Sequence, residues 1–169
     1  MTSIASIMGL HKAVRALWDS SDLDDSFTQF WTATEITQFM ALNETEAAPG
    51  QPFPYVVFEC SPGIVVSRMS KTRESIWEVQ RVPWSFKVLA RKIDGDARSP
   101  KEIANELMED ILAVFGGHPV TPPTSPTLDY GNFLLSTLTS VVGTRVGDDE
   151  YQLTISYSFL IDVPVAHRR

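Results

Sequence analysis

The chain has 169 residues, of which 43% are hydrophobic and 21% charged, enough for one ordinary globular domain over 1–169 with a sizeable core. Its formal net charge is −7, from 21 acidic against 14 basic residues, which disfavours a protein that wraps DNA by neutralising phosphates. A single cysteine, Cys60, excludes an internal disulfide, and the absence of a C-x-x-C pair excludes the usual zinc or dithiol motifs. The N-terminal stretch lacks the positively charged leader of a signal peptide, and no apolar run approaches the ~20 residues of a membrane-spanning helix. The expectation is a soluble cytoplasmic product with no membrane partner.

Ile4, Ile7, Met8, Val14, Leu17 and Trp18 recur at three- and four-residue steps after the cap candidates Thr2 and Ser3, which predicts an amphipathic helix ending near Ser20. An acidic segment follows: residues 19–50 hold seven acids and no Lys or Arg, so the net charge of the chain is concentrated there. Asp19 to Asp25 is expected as a solvated loop, since the ligand spacing of a calcium loop is absent. Phe27, Phe30 and Trp31 are candidate core anchors. Thr34 to Asn43 suits a strand by its Thr, Ile and Phe content or a short helix by Ile36, Phe39 and Met40; the strand is favoured. Three prolines within 47–54 then forbid regular structure.

Tyr55 to Cys60 is a short apolar run that predicts a central strand with both faces covered. Gly63 to Arg73 is expected as a long connection carrying a compact basic group, Arg68, Lys71 and Arg73. Glu74 to Arg91 predicts a long strand in which Trp77 and Val79 share one parity and Val82, Trp84, Phe86 and Val88 the other. Side chains alternate faces along a strand, so the switch calls for a bulge, placed at Pro83, in a partly exposed strand. Ser99, Pro100 and Glu102 form a capping box at the start of a second helix that stops at Gly116-Gly117, with Ile103, Leu107, Ile111, Val114 and Phe115 as its buried stripe. His118 to Pro126 is a Pro/Thr-rich surface loop. Residues 133–144 and 150–162 predict a hairpin around Gly147, with Tyr151, Leu153, Ile155, Tyr157, Phe159 and Ile161 on one face. The expected class is α+β: a mainly antiparallel sheet with two helices packed on one face, in the order α-β-β-β-α-β-β.

Catalytic groupings are not evident. His11 lies in the first helix, His118 follows a helix stop and His167 is in the tail; no G-x-S-x-G surrounds a serine, and Cys60 sits in an apolar strand where a thiol is inert. Glu109 and Asp110 are adjacent on a helix and do not face one another. There is no phosphate-binding glycine loop. The reading is a non-enzyme without cofactor or metal. Of the tryptophans, Trp18, Trp31 and Trp84 read as core, whereas Trp77 falls on the polar parity of its strand and is a candidate contact to a protein partner.

In this order the pieces resemble the tail terminator proteins of long-tailed bacteriophages. The resemblance rests on the N-terminal helix, the approach Ala48 to Phe58, the long strand Trp77 to Leu89, the capped start Ser99 to Ile103 and the closing strand Tyr151 to Tyr157. It implies a homohexameric ring stacked on the tail tube protein, meeting a head-tail connector or neck protein, with double-stranded DNA passing through the lumen without sequence-specific binding. On that basis Arg68, Lys71, Arg73 and Trp77 are candidate interface or lumen residues, the Gly63 to Arg73 segment projecting toward lumen or tube. A head-completion or neck protein of the same assembly, and a monomeric ligand-binding module on the aromatic-rich sheet, are the alternatives.

Overall fold

The computed structural model describes residues 4–70, 76–117, 120–121 and 132–165. Its elements are α1 (Ile4–Asp19), α2 (Leu23–Thr28), α3 (Ala33–Gln38), β1 (Leu42–Glu44), β2 (Tyr55–Cys60), β3 (Ile64–Ser70), β4 (Ile76–Arg91), α4 (Pro100–Gly117), β5 (Asn132–Arg145) and β6 (Glu150–Val165). The strands form one six-stranded sheet in the order β1-β2-β4-β6-β5, with β3 also on β4. All pairings are antiparallel except the parallel β1–β2 pair. The α+β class with a mainly antiparallel sheet is as the sequence predicts.

β2 and β3 share one edge of β4. β2 occupies Trp84 to Leu89 and β3 occupies Ile76 to Arg81, while the Ser61 amide donates to the Pro83 carbonyl across the break (3.0 Å). Tyr55 to Ser70 is thus one path antiparallel to β4, kinked at Ser61-Pro62-Gly63, where proline removes a ladder donor.

The core lies between α1, α4 and one face of the sheet. That face is built from Val56 and Phe58 of β2, Val82, Trp84, Phe86 and Val88 of β4, and Leu153, Ile155, Tyr157, Phe159 and Ile161 of β6, all buried. Phe86 receives both helices: its ring centroid is 6.0 Å from Trp18 of α1 and 4.8 Å from Phe115 of α4. The α4 stripe Ile103, Leu107, Ile111 and Phe115 is buried, with Val114 only half so. Its start is the expected capping box: the Ser99 amide donates to Glu102 Oε2 (2.7 Å) and the Glu102 amide to Ser99 Oγ (3.3 Å). Arg15 ties α1 to the sheet edge, donating to the Leu42 carbonyl (2.8 Å) beside Glu44 (3.5 Å).

Five expectations need correction. Thr34 to Asn43 is not a strand: residues 33–38 are helix α3, and only Leu42–Glu44 pairs as a strand. A capping box decides it, the Thr32 amide donating to Glu35 Oε2 (2.7 Å) and the Glu35 amide to Thr32 Oγ1 (3.4 Å). The acidic stretch 19–25 is not all loop, since α2 begins at Leu23 and Asp24 accepts from the Trp18 indole (2.7 Å). There are consequently four helices among the described residues where two were expected. Gly63 to Arg73 is not a connection over its first part, because Ile64–Ser70 is β3.

Finally, β4 has no bulge at Pro83, and its register on β6 is unbroken from Ile76 to Arg91. The even-numbered residues face the helix side throughout; beyond Val82 the row turns polar with Gln80 and Glu78, which stay buried, while Trp77 and Val79 lie on the other face. The irregularity sits in β3, between Val65 and Ser67. Most of the Pro/Thr-rich 118–126 loop lies outside the described residues, although Val120 is buried.

Candidate functional site

The sheet presents three surfaces that α1 and α4 leave uncovered. The first is the end of the β3–β4 hairpin. Arg68 pairs in register with Glu78, and its Nε donates to Glu78 Oε1 (2.8 Å); Gln80 Nε2 donates to the other oxygen (3.2 Å). The Arg68 side chain is 70% exposed and that of Glu78 8%, so a buried carboxylate is held by an arginine lying on the surface. Trp77 pairs with Met69 on the opposite face of the hairpin and is half-buried. The fold therefore places Arg68 and Trp77 on one hairpin but on its two different faces. Lys71 and Arg73 lie outside the described residues.

The second surface is the sheet face turned away from α1 and α4. Gln152, Thr154, Ser156 and Ser158 of β6 line it, with Ser85 and Lys87 of β4 and the exposed Thr137, Ser140 and Thr144 of β5. Lys87 is neutralised by Glu59 (2.6 Å). Arg81 and Arg91 of β4 and Glu150 and Asp162 of β6 share this side, so the face is hydroxyl-rich with charges of both signs.

The third surface is the pair of lateral edges. Among the described residues β3 pairs only with β4, and β5 only with β6. Both outer edges carry exposed aliphatic side chains: Ile64 (68%) and Val66 on β3, and Leu138, Val141 and Val142 (56%) on β5. Sequence reasoning missed this. The available signal was composition, since residues 132–144 contain no charged side chain, unlike the charge-guarded edges of most sheets.

The titratable groups form no catalytic grouping among the described residues. His11 meets Phe58 edge-on (4.7 Å) and lies 3.9 Å from Glu44; burial lowers its pKa, opposed in part by the Glu44 charge. Burial pushes the Cys60 thiol up to about 12, leaving little thiolate. Glu109 and Asp110 are exposed. No group of three metal-ligating side chains occurs among the described residues, and no described helix is long and apolar enough to cross a membrane. Trp18, Trp31 and Trp84 are buried in the core, where Trp31 Nε1 donates to the Pro54 carbonyl (3.0 Å).

No family model matches the chain, and no curated protein matches it. Among solved structures it is similar to a chain of the virion of a native gene transfer agent particle, with 16% identity and a TM-score of 0.57 over 95% of this chain and all of that one. The two share a fold.

Proposed function

We propose that this protein is a structural component of a phage-like virion, acting as the tail terminator: a homohexameric ring that closes the tail tube, joins it to the head-tail connector or neck and lets double-stranded DNA pass. The observation that carries the reading is the two-sidedness of the sheet. One face is sealed by α1 and α4, and the other is open and hydroxyl-rich, with Arg81, Lys87 and Arg91 offset by Glu59, Glu150 and Asp162 on the same side. A wall for sliding DNA must not grip phosphates, and a face whose Lys87 is already neutralised by Glu59 meets that need. The fold shared with a gene transfer agent virion chain supports the coarser part of this reading, a structural component of a virion.

In this reading the β3–β4 hairpin end, with Arg68, Lys71, Arg73 and Trp77, contacts the adjoining ring of tube or neck. The work is done by shape and self-association, without bond-making chemistry or a cofactor. A monomeric module with an aromatic pocket is less favoured, because Trp18, Trp31 and Trp84 are spent in the core.

Native mass spectrometry with negative-stain microscopy, over rising protein concentration and with tail tubes added, tests the assignment. Sixfold rings, free or on tube ends, are the expected result. A protein that stays monomeric in both settings overturns it.

A further inference from the structure

Between α1, α2 and α4 runs a groove lined by no strand residue, and we propose that it receives a basic segment of an adjoining virion protein, one arginine or lysine entering between Asp22 and Asp110. The inference rests on the virion reading and names the chemistry of one partner.

Shape is the first argument. The groove holds about 370 Å3, and its lining includes the apolar Leu17, Leu23, Ala113 and Val114 with the exposed Asp22 and Asp110. Leu17 and Val114 belong to the apolar stripes of α1 and α4, yet both are only half-buried. The two stripes keep apolar surface against water here, and covering it with a partner is favourable. The methylene stem of an arginine or lysine suits such a floor and leaves its charged head outside.

Charge is the second. The fold makes no use of either carboxylate. Asp22 precedes α2 without a side-chain cap bond, and neither it nor Asp110 has an ion pair or side-chain hydrogen bond among the described residues. Asp25 and Glu109, close to them in sequence, are exposed and equally unpaired. The lining holds no Lys or Arg, and residues 19–50 contain none at all. Carboxylates kept together without a counter-charge complement a cationic partner, and each can accept charge-assisted hydrogen bonds from it.

Reach is the third, and it excludes the chain's own basic ends. Ser70 pairs with Ile76 and Ile76 with Val165, so the stretches holding Lys71, Arg73, Arg168 and Arg169 leave the sheet at that end. Phe86, which meets Trp18 and Phe115 next to the groove, lies ten residues along β4 from Ile76. At 3.3 Å per residue that is about 33 Å, whereas residues 166–169 span at most about 14 Å. The cation must come from another molecule.

The test uses the full chain, isotope-labelled for NMR, with the peptide acetyl-Leu-Arg-Leu-Arg-Leu-amide as probe. Saturable shifts of the Leu17, Leu23, Asp110 and Val114 amides are expected, and none with acetyl-Leu-Glu-Leu-Glu-Leu-amide. Asp22→Asn combined with Asp110→Asn should weaken binding at least tenfold, whereas Glu46→Gln, at an exposed acid on the β1 side, should leave it unchanged. Val114→Thr, which keeps both carboxylates, should weaken it at least threefold; circular dichroism checks the fold of each variant. Equal binding of the two peptides, indifference to the Asn pair or to Val114→Thr, or shifts centred elsewhere each overturn the groove as a docking site. A peptide of residues 163–169 that binds there more tightly than the probe overturns the choice of partner in favour of a second copy. Rings formed by a protein that fails these tests leave the ring reading standing. A protein that passes them and forms no ring upholds the groove and overturns the ring.

Discussion

The Trp84 indole stacks on the Tyr157 ring, with centroids 4.5 Å apart and planes 14° from parallel, directly across the β4–β6 ladder. Phe159 stacks on the same indole at 5.5 Å, so Trp84 joins three strand positions in one aromatic column under α4. Trp84→Ala should cost about 3–5 kcal/mol, the usual range for removing a buried large aromatic, read from chemical denaturation.

Tyr157→Phe should behave differently. The Tyr157 hydroxyl is buried without a protein hydrogen-bond partner, and desolvation raises its pKa to about 12. Deleting an unpaired hydroxyl removes a polar group that burial already penalises, so the variant should lie within about 1 kcal/mol of wild type or be more stable. A loss above about 2 kcal/mol would contradict the packing described.

Gly143 is needed for a close approach. A Cβ built there would lie 1.8 Å from the Tyr151 hydroxyl, whose ring crosses the β5 backbone. Gly143→Ala must push the Tyr151 ring away and should destabilise by about 1–3 kcal/mol, the range for overpacking. In a double-mutant cycle with Tyr151→Ala the two losses should be clearly less than additive, since the second change removes the clash.

Stability should fall as the medium is acidified past the ordinary histidine range. Burial holds the His11 pKa below its usual 6.5, outweighing the attraction of Glu44, so the unfolded chain takes up the proton first. The contribution of neutral His11 is fully present above 6.5 and is lost as pH drops through 6.5 toward the lowered folded value. His11→Phe should flatten this part of the stability profile, measured by thermal unfolding between pH 5 and 7.5.

The α4 cap offers a check that needs no core change. Ser99→Ala removes the acceptor for the Glu102 amide and should cost about 1 kcal/mol. Hydrogen bonds from the Ser99 amide first and its hydroxyl second hold the Glu102 pKa below its usual value; the variant keeps the amide bond, so NMR titration should show only a partial upward return.

Long elements with a strong period were legible from sequence. α1, α4, β2 and the β5–β6 hairpin fall where their patterns put them; α4 and β6 each bury one face along most of their length, and β5 follows as the hairpin partner of β6. The misreadings have local causes. In 33–38 the β-branched residues pointed to a strand, yet Thr32 and Glu35 at capping-box spacing overrode them. In β4 the switch of apolar parity between Val79 and Val82 calls for a bulge, whereas Gln80 and Glu78 continue the buried row, Gln80 donating to Glu78 and Glu78 accepting from Arg68. Periodicity counts apolar residues and is blind to polar side chains that bond to one another out of water. Likewise Arg68 was visible as a charge, but its engagement by Glu78 exists only once the hairpin forms.

β4 lies in the middle of the sheet, and its whole second side is supplied by β6, far along the chain from it. During synthesis, residues 76–91 emerge well before 150–165 do. Until residues 150–165 have emerged, this strand has only half its hydrogen-bonding complement, and Phe86 has no floor of Ile155 and Tyr157 beside it. The central strand therefore stays half-paired until residues 150–165 are available, and the sheet closes as one late step.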